Sequence, residues 1–353
     1  MPSLMDSLSQ TATPEVLGTI GKRIGVDSDT MQKGMDAATP AVLGSLSKTA
    51  STPGGLDSIL SQMSSMQSGA QGGDVMGSVL GSMMGGGGGG LGSMLGGLLG
   101  GGGAMPAGAM GAMGGGLAGM LMGPALGAIS GTLSKSLGFD VGPILSVAAP
   151  LLMGVLGQHA ATNNLDKQGV ANLLQSENKA YVSKGGPTAQ LVQSALDAGD
   201  KATTMVKGLG DNYSKLQVAP VLVAKLVAQS PHSGPIGTAK EMAAGAAAVA
   251  ESVKAADPSS LVKAVFSTDP AQGALDAVTK MDPTAQLSYV GSAVSALAAS
   301  HPNEAATVRG LLMNVAQKTA EGAKEGGFLG IGGTKVSKEE QAAIDAIRKV
   351  IGA

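Results

Sequence analysis

A repeated segment constrains the fold of this chain more than any other feature. The sequence AATPAVLGSL at 37–46 returns as VAAPLLMGVL at 147–156. Upstream, GTIGKRIGVD at 18–27 is matched by GTLSKSLGFD at 131–140. The pattern predicts two copies of one helix–Gly–helix–Pro–helix unit. Because so small a unit cannot bury its apolar face alone, the two copies should pack on each other or on copies from another chain.

Local signals place helices in the first copy. Thr13 caps a helix that has Pro14 at its first position, and Gly25 ends it. Asp27 or Ser28 caps the next helix. The proline of the repeat either kinks that helix or opens another one. The residues predicted to pack one copy on the other are Pro40, Leu43, Gly44, Pro150, Met153 and Gly154.

A glycine- and methionine-rich tract separates the two copies. Residues 81–120 contain 20 glycines, and residues 75–134 contain no charged side chain. Since each glycine costs a helix about 1 kcal/mol relative to alanine, we expect no stable isolated helix here. The tract is either a flexible linker or a surface for self-association, because methionine adapts to irregular apolar contacts. The residues predicted to associate are Leu91, Met94, Leu95, Leu98 and Leu99.

The second half of the chain is alanine-rich and predicts a bundle of short helices. Asp-Pro pairs begin at Asp257, Asp269 and Asp282, and each predicts a capping aspartate with proline at the first helical position. Two short apolar runs around a Gly-Gly pair in 327–337 predict a small hairpin. Ser337, with a glutamate three residues later, predicts a capped terminal helix docked on the bundle.

Composition excludes several classes of function. A net charge of −2 offers no basic surface for nucleic acid. The absence of cysteine removes disulfides and thiolate ligands. His159, His232 and His301 are too far apart in sequence for a metal motif, and we predict neither a metal nor another cofactor. The segment GFLGIGGTK lacks the Gly-Lys-Ser/Thr order of a phosphate loop, and no nucleophile elbow occurs. We therefore expect a protein that is not an enzyme.

The paired units resemble the YidB-like family of bacterial proteins. The segments that carry this resemblance are ATPAVLGSL, AAPLLMGVL, STPGGLDSIL and the Gly/Leu/Met-rich centre. The resemblance covers about residues 10–180 and implies an all-α, self-associating domain with no catalytic residues to transfer. The long glycine tract and the second half of the chain depart from the compact members of the family.

Membrane association is the alternative to a scaffold. Residues 117–133 and 141–157 are apolar and about as long as a short membrane span. However, the second segment aligns with 28–46, which carries two aspartates and a lysine. The first residues also lack a basic segment followed by an apolar run, so we expect a cytoplasmic location.

These observations predict an all-α protein in four segments. A first repeat unit at 1–61 and a second at 117–180 flank a flexible insert at 62–116, and an Ala-rich bundle occupies 181–353. The function we expect is a non-enzymatic scaffold or interaction protein that forms homo-oligomers, with a protein partner on the C-terminal bundle. The membrane alternative would use the uncharged region 91–157.

Overall fold

A computed structural model describes residues 3–69, 119, 122–229, 234–322 and 336–353. The described residues form fifteen α-helices and no strand, which confirms the all-α class. Most of the predicted insert, the five residues predicted for self-association and most of the predicted hairpin lie outside the described residues.

The chain divides into two compact units, with the division after Thr203. The first contains α1 (Leu4–Thr11), α2 (Pro14–Ile24), α3 (Ser28–Ala50), α4 (Gly55–Gly69), α5 (Ala125–Leu137), α6 (Gly142–Thr162), α7 (Lys167–Lys184) and most of α8 (Pro187–Leu209). The second contains α9 (Asn212–Ala228), α10 (Gly234–Ala255), α11 (Leu261–Phe266), α12 (Gln272–Thr279), α13 (Pro283–Ser300), α14 (Pro302–Ala320) and α15 (Lys338–Ile351).

The sequence repeat is a structural repeat in the first unit. Helices α2, α3 and α4 correspond in order to α5, α6 and α7. The glycines that end α2 and α5, Gly25 and Gly138, both adopt the left-handed conformation, with φ of 77° and 81°. Glycine suits both positions because a side chain would be strained there. The longest helix of each copy forms the core, where α3 packs on α6.

Both repeat prolines lie inside continuous helices. Pro40 is buried in the middle of α3, and Pro150 is buried in the middle of α6. The expectation that Pro40 opens a new helix is therefore wrong, and only the alternative of one proline-containing helix remains. Each proline lacks the N–H that would bond the carbonyl four residues earlier. Burial against neighbouring helices offsets that loss.

The second unit is built around α9, another buried helix with an internal proline, Pro220. Helices α10, α13 and α14 surround it, and α15 docks on α9, α13 and α14. The predicted capping box is confirmed, since the Ser337 hydroxyl accepts from the Glu340 N–H at 3.2 Å. Ile344, Ile347 and Ile351 form the buried face of α15.

Two of the three Asp-Pro pairs do not begin helices as predicted. Asp282 caps α13 as expected, because its carboxylate accepts from the Ala285 N–H at 3.0 Å. Asp257 instead accepts from Ser259 within a turn, and Ser260 caps α11. Asp269 lies in the connection between α11 and α12, two residues before the N-cap position of α12, which has no side-chain cap. A local turn thus replaces the predicted cap at Asp257, whereas Asp269 lies in an irregular connection.

Candidate functional site

The residues predicted to join the two repeat copies lie in or beside the core of the first unit. Pro40 and Leu43 on α3, and Pro150 and Met153 on α6, are buried, while Gly154 is half-buried. Buried proline-containing helices of both copies therefore belong to one apolar core. These positions hold the domain together and offer no opening to a ligand.

Two glycines of α3 permit close approach by different neighbours. A Cβ added at Gly44 would lie 2.5 Å from a methyl carbon of Leu196 on α8, so this predicted residue packs against α8. A Cβ added at Gly34 would lie 2.2 Å from Cδ1 of Ile144 on α6. Gly34 is thus a contact point between the copies that the sequence reasoning missed. Its signal in the sequence was weak, because the matching position of the second copy is not glycine.

The described surface of the protein exposes few large apolar side chains. Val182 and Ile236 are the large apolar side chains that are exposed in the described part of the chain. Single exposed side chains of this kind are ordinary on protein surfaces.

No cluster of three potential metal ligands occurs among the described residues. His159 lies near the end of α6 and His301 at the start of α14, in different units. His232 lies outside the described residues.

A cavity of about 70 Å³ opens in the second unit. One wall is α9, through Pro220, Val221 and Ala224, and the facing wall is α10. The α10 wall is built mainly from small and medium-sized side chains: Met242, Gly245, Ala246, Val249 and Ala250. Phe266 and the connection between α11 and α12 complete the lining. The space exists because the α10 wall is poor in bulky side chains near the proline of α9.

A hydrogen-bond network fixes the polar edge of this cavity. The side-chain amide of Gln217 donates to the Tyr213 hydroxyl at 2.9 Å and to Thr268 Oγ1 at 3.0 Å. It also lies 3.3 Å from the Val265 carbonyl oxygen, which accepts from it. Gln217 is buried, so these bonds satisfy an amide group that would otherwise be costly to bury. The network holds the α11–α12 connection against α9.

Asp269 is the titratable residue of the cavity lining. Burial raises the pKa of its carboxyl from 3.8 to about 6. No hydrogen bond or ion pair involves this carboxyl within the described part of the chain. A desolvated carboxylate without a partner disfavours its own ionised form. The cavity therefore combines an apolar interior with one uncompensated acidic group.

Comparison with known proteins finds a match for the first part of the chain. Residues 6–159 match the model of a family described as a bacterial protein of unknown function (DUF937). The match contains most of α1, all of α2 to α5 and nearly all of α6. The YidB-like resemblance of residues 10–180 is consistent with it. No curated protein and no solved structure matches the chain. The cavity lies beyond the segment that matches DUF937.

Among the described helices, α6 is long and apolar enough to cross a membrane. In the structure, 67% of its most apolar stretch is buried within the protein. A core helix of a globular domain has the same length and composition, so this feature is weak support for a membrane span.

Proposed function

We propose that this protein is a non-enzymatic, self-associating scaffold of the bacterial cytoplasm, built on a DUF937 domain. The observation that carries the proposal is the uncharged run at 75–134, which sits inside the DUF937 match. The part of this run that the structure describes contributes buried residues to the core, through Met122, Leu126, Ile129 and Leu133. We assign the contacts between chains to Leu91, Met94, Leu95, Leu98 and Leu99.

Methionine and leucine suit such contacts for a physical reason. Both are flexible apolar side chains, and methionine fits surfaces of irregular shape. A tract with no charge has no electrostatic repulsion to keep copies of the chain apart. The glycines between the apolar residues let the backbone adjust as the chains meet.

The non-enzymatic part of the proposal rests on the sequence. The chain has no cysteine, no phosphate-loop order and no nucleophile elbow. The second unit serves in this proposal as the place where a protein partner binds, because α9 to α15 form a compact unit beyond the DUF937 match. No metal, cofactor or nucleic acid is needed.

Size-exclusion chromatography with light scattering tests the self-association. The full chain is compared with a deletion of residues 81–116 and with a full-length variant in which the five apolar residues are serine. We expect a large oligomer for the full chain and a monomer for both variants. The serine variant keeps the tract length, so it separates side-chain contacts from linker length. A full chain that runs as a monomer would contradict the proposal.

Membrane association through region 91–157 is the second candidate function. The length and apolar composition of α6 favour it, whereas the burial of α6 in the core of the first unit opposes it. Cell fractionation without detergent distinguishes the two functions. Full recovery in the soluble fraction would exclude the membrane candidate, and recovery in the membrane pellet that resists high salt would support it.

A further inference from the structure

We propose that the cavity between α9 and α10 binds a short alkylammonium group, with the alkyl chain inside the cavity and the ammonium at Asp269. The proposal concerns the second unit alone. It does not depend on whether the chain self-associates, because none of its residues lies in the uncharged tract.

The size and lining of the cavity select the apolar part of the ligand. A volume of about 70 Å³ leaves room for roughly three to five methylene-sized groups. Val221, Met242 and Phe266 line this space with apolar surface. An alkyl chain gains from leaving water there, whereas water in an apolar cavity finds too few hydrogen-bond partners.

The charge of the lining selects the other end of the ligand. Asp269 carries the acidic group of the lining, which includes no basic residue to pair with it. A partly buried charge without a partner is unfavourable, and a bound cation reduces that cost while gaining a charge-assisted hydrogen bond. An ammonium fits one carboxylate, whereas a metal ion requires several ligands, and no three-residue ligand cluster occurs in the described residues.

The polar edge is arranged to keep Asp269 in place. Thr268, its neighbour, is held by the amide of Gln217 and lies 3.3 Å from the Tyr213 hydroxyl. On the other side of Asp269, Pro270 is buried and has a restricted backbone. The carboxyl group is therefore presented by a connection that is anchored on both sides, which reduces the ordering cost of binding.

The probe for the test is n-butylammonium, added as its chloride to the full-length protein. Binding is followed through the ¹³C-labelled ε-methyl signal of Met242, which is assigned by its loss in Met242→Leu. We expect a saturable shift of this signal with a dissociation constant of about millimolar or tighter, as a ligand of so few atoms allows. The neutral isostere 1-butanol should bind at least about tenfold more weakly.

Two pairs of variants locate the site. Asp269→Asn should abolish the preference for the cation, while the exposed Asp211→Asn should preserve it. Ala246→Leu fills the cavity and should prevent binding. Ala247→Leu, at an exposed neighbouring position, should leave binding unchanged. Far-UV circular dichroism confirms that each variant is folded. No saturable shift at Met242, equal binding of 1-butanol, or unchanged binding by Asp269→Asn would each overturn the proposal.

Discussion

The two units both bury proline-containing helices, but they fill the space beside them differently. In the first unit, the side chain of Ile144 on α6 fills the space next to the Cα of Gly34 on α3. In the second unit, Pro220 of α9 faces an α10 surface that leaves a cavity of about 70 Å³. A small residue beside a core helix thus closes the interface only when its neighbour supplies a large side chain. Where the facing side chains do not fill the space, a cavity remains.

The largest expected effect comes from removing the large side chain in the first unit. Ile144 is fully buried, so Ile144→Ala should lower the free energy of unfolding of that unit by about 2–5 kcal/mol. Ile144→Val is the conservative control and should cost about 0.5–1.5 kcal/mol. Hydrogen exchange at increasing urea concentrations, read on peptides from each unit, measures the free energy of unfolding of that unit. A negligible loss for Ile144→Ala would show that the packing of α3 on α6 does not depend on this contact.

The second effect concerns the uncompensated carboxyl in the second unit. Asp269 has a pKa of about 6 when folded and 3.8 as its ordinary value, so its ionisation opposes folding. Its contribution to stability is most favourable below pH 3.8 and declines as the pH rises through 6. Asp269→Asn should therefore stabilise the second unit at pH 7.5, by up to about 3 kcal/mol for a shift of this size.

The pH dependence distinguishes this cause from a simple packing change. The difference between the wild type and Asp269→Asn should be constant above about pH 7 and shrink between pH 6 and 4. Urea denaturation of the second unit across this range measures it. A difference that does not change with pH would mean that the carboxyl titrates as an exposed group.

The third prediction compares the effect of adding side-chain atoms at one position in each unit. Gly34→Ala gains helix propensity but places a Cβ against Ile144, and should cost about 1–2 kcal/mol in total. In an Ile144→Val background, which lacks the nearest carbon, that cost should shrink, because the two remaining Cγ atoms lie 3.2 and 3.3 Å from the added Cβ. In the second unit, Ala246→Leu should instead be neutral or stabilising by about 0.5–2 kcal/mol, because it fills a cavity.

Hydrogen exchange read separately for α3 and α10 measures these changes. A destabilising Ala246→Leu would show that the cavity is too narrow for added atoms, and it would weaken the contrast between the two units. A tolerated Gly34→Ala in the wild-type background would show that Ile144 moves aside at little cost.

The smallest effect should be the same in both units. Asp166 caps α7 in the first unit, with its carboxylate 2.7 Å from the Gly169 nitrogen, and Asp282 caps α13 in the second. Substitution of either by alanine should cost about 1 kcal/mol. Thermal unfolding, monitored by hydrogen exchange in each unit, compares the losses of stability of the two variants. A much larger loss of stability for one variant would indicate that its aspartate makes stabilising contacts beyond the capping hydrogen bond.

The sequence alone predicted the elements whose causes are local. The left-handed glycine Gly25, the capping box of α15 and the duplicated helices follow from residues a few positions apart or from a repeat within one chain. These features can be read from the sequence because each depends on the backbone conformation at one residue or on the apolar period of one helix.

The sequence reasoning failed where distant residues compete with a local signal. Asp269-Pro270 has the pattern of a helix start, yet Thr268 is bound by Gln217 and Tyr213 of α9, more than fifty positions earlier. Those hydrogen bonds and the burial of Pro270 place the segment in a connection. The mispredicted residue is also the acidic group of the cavity.

By itself, the sequence determined the all-α class, the repeat, the caps that act locally and the match of residues 6–159 to DUF937. Only the tertiary structure decided that Pro40 stays within one helix, that Gly34 meets Ile144, and that small residues of α10 leave a cavity beside Pro220. The physical reason is that packing and desolvation depend on which side chains meet across the fold. That information lies in pairs of distant residues and has no local pattern.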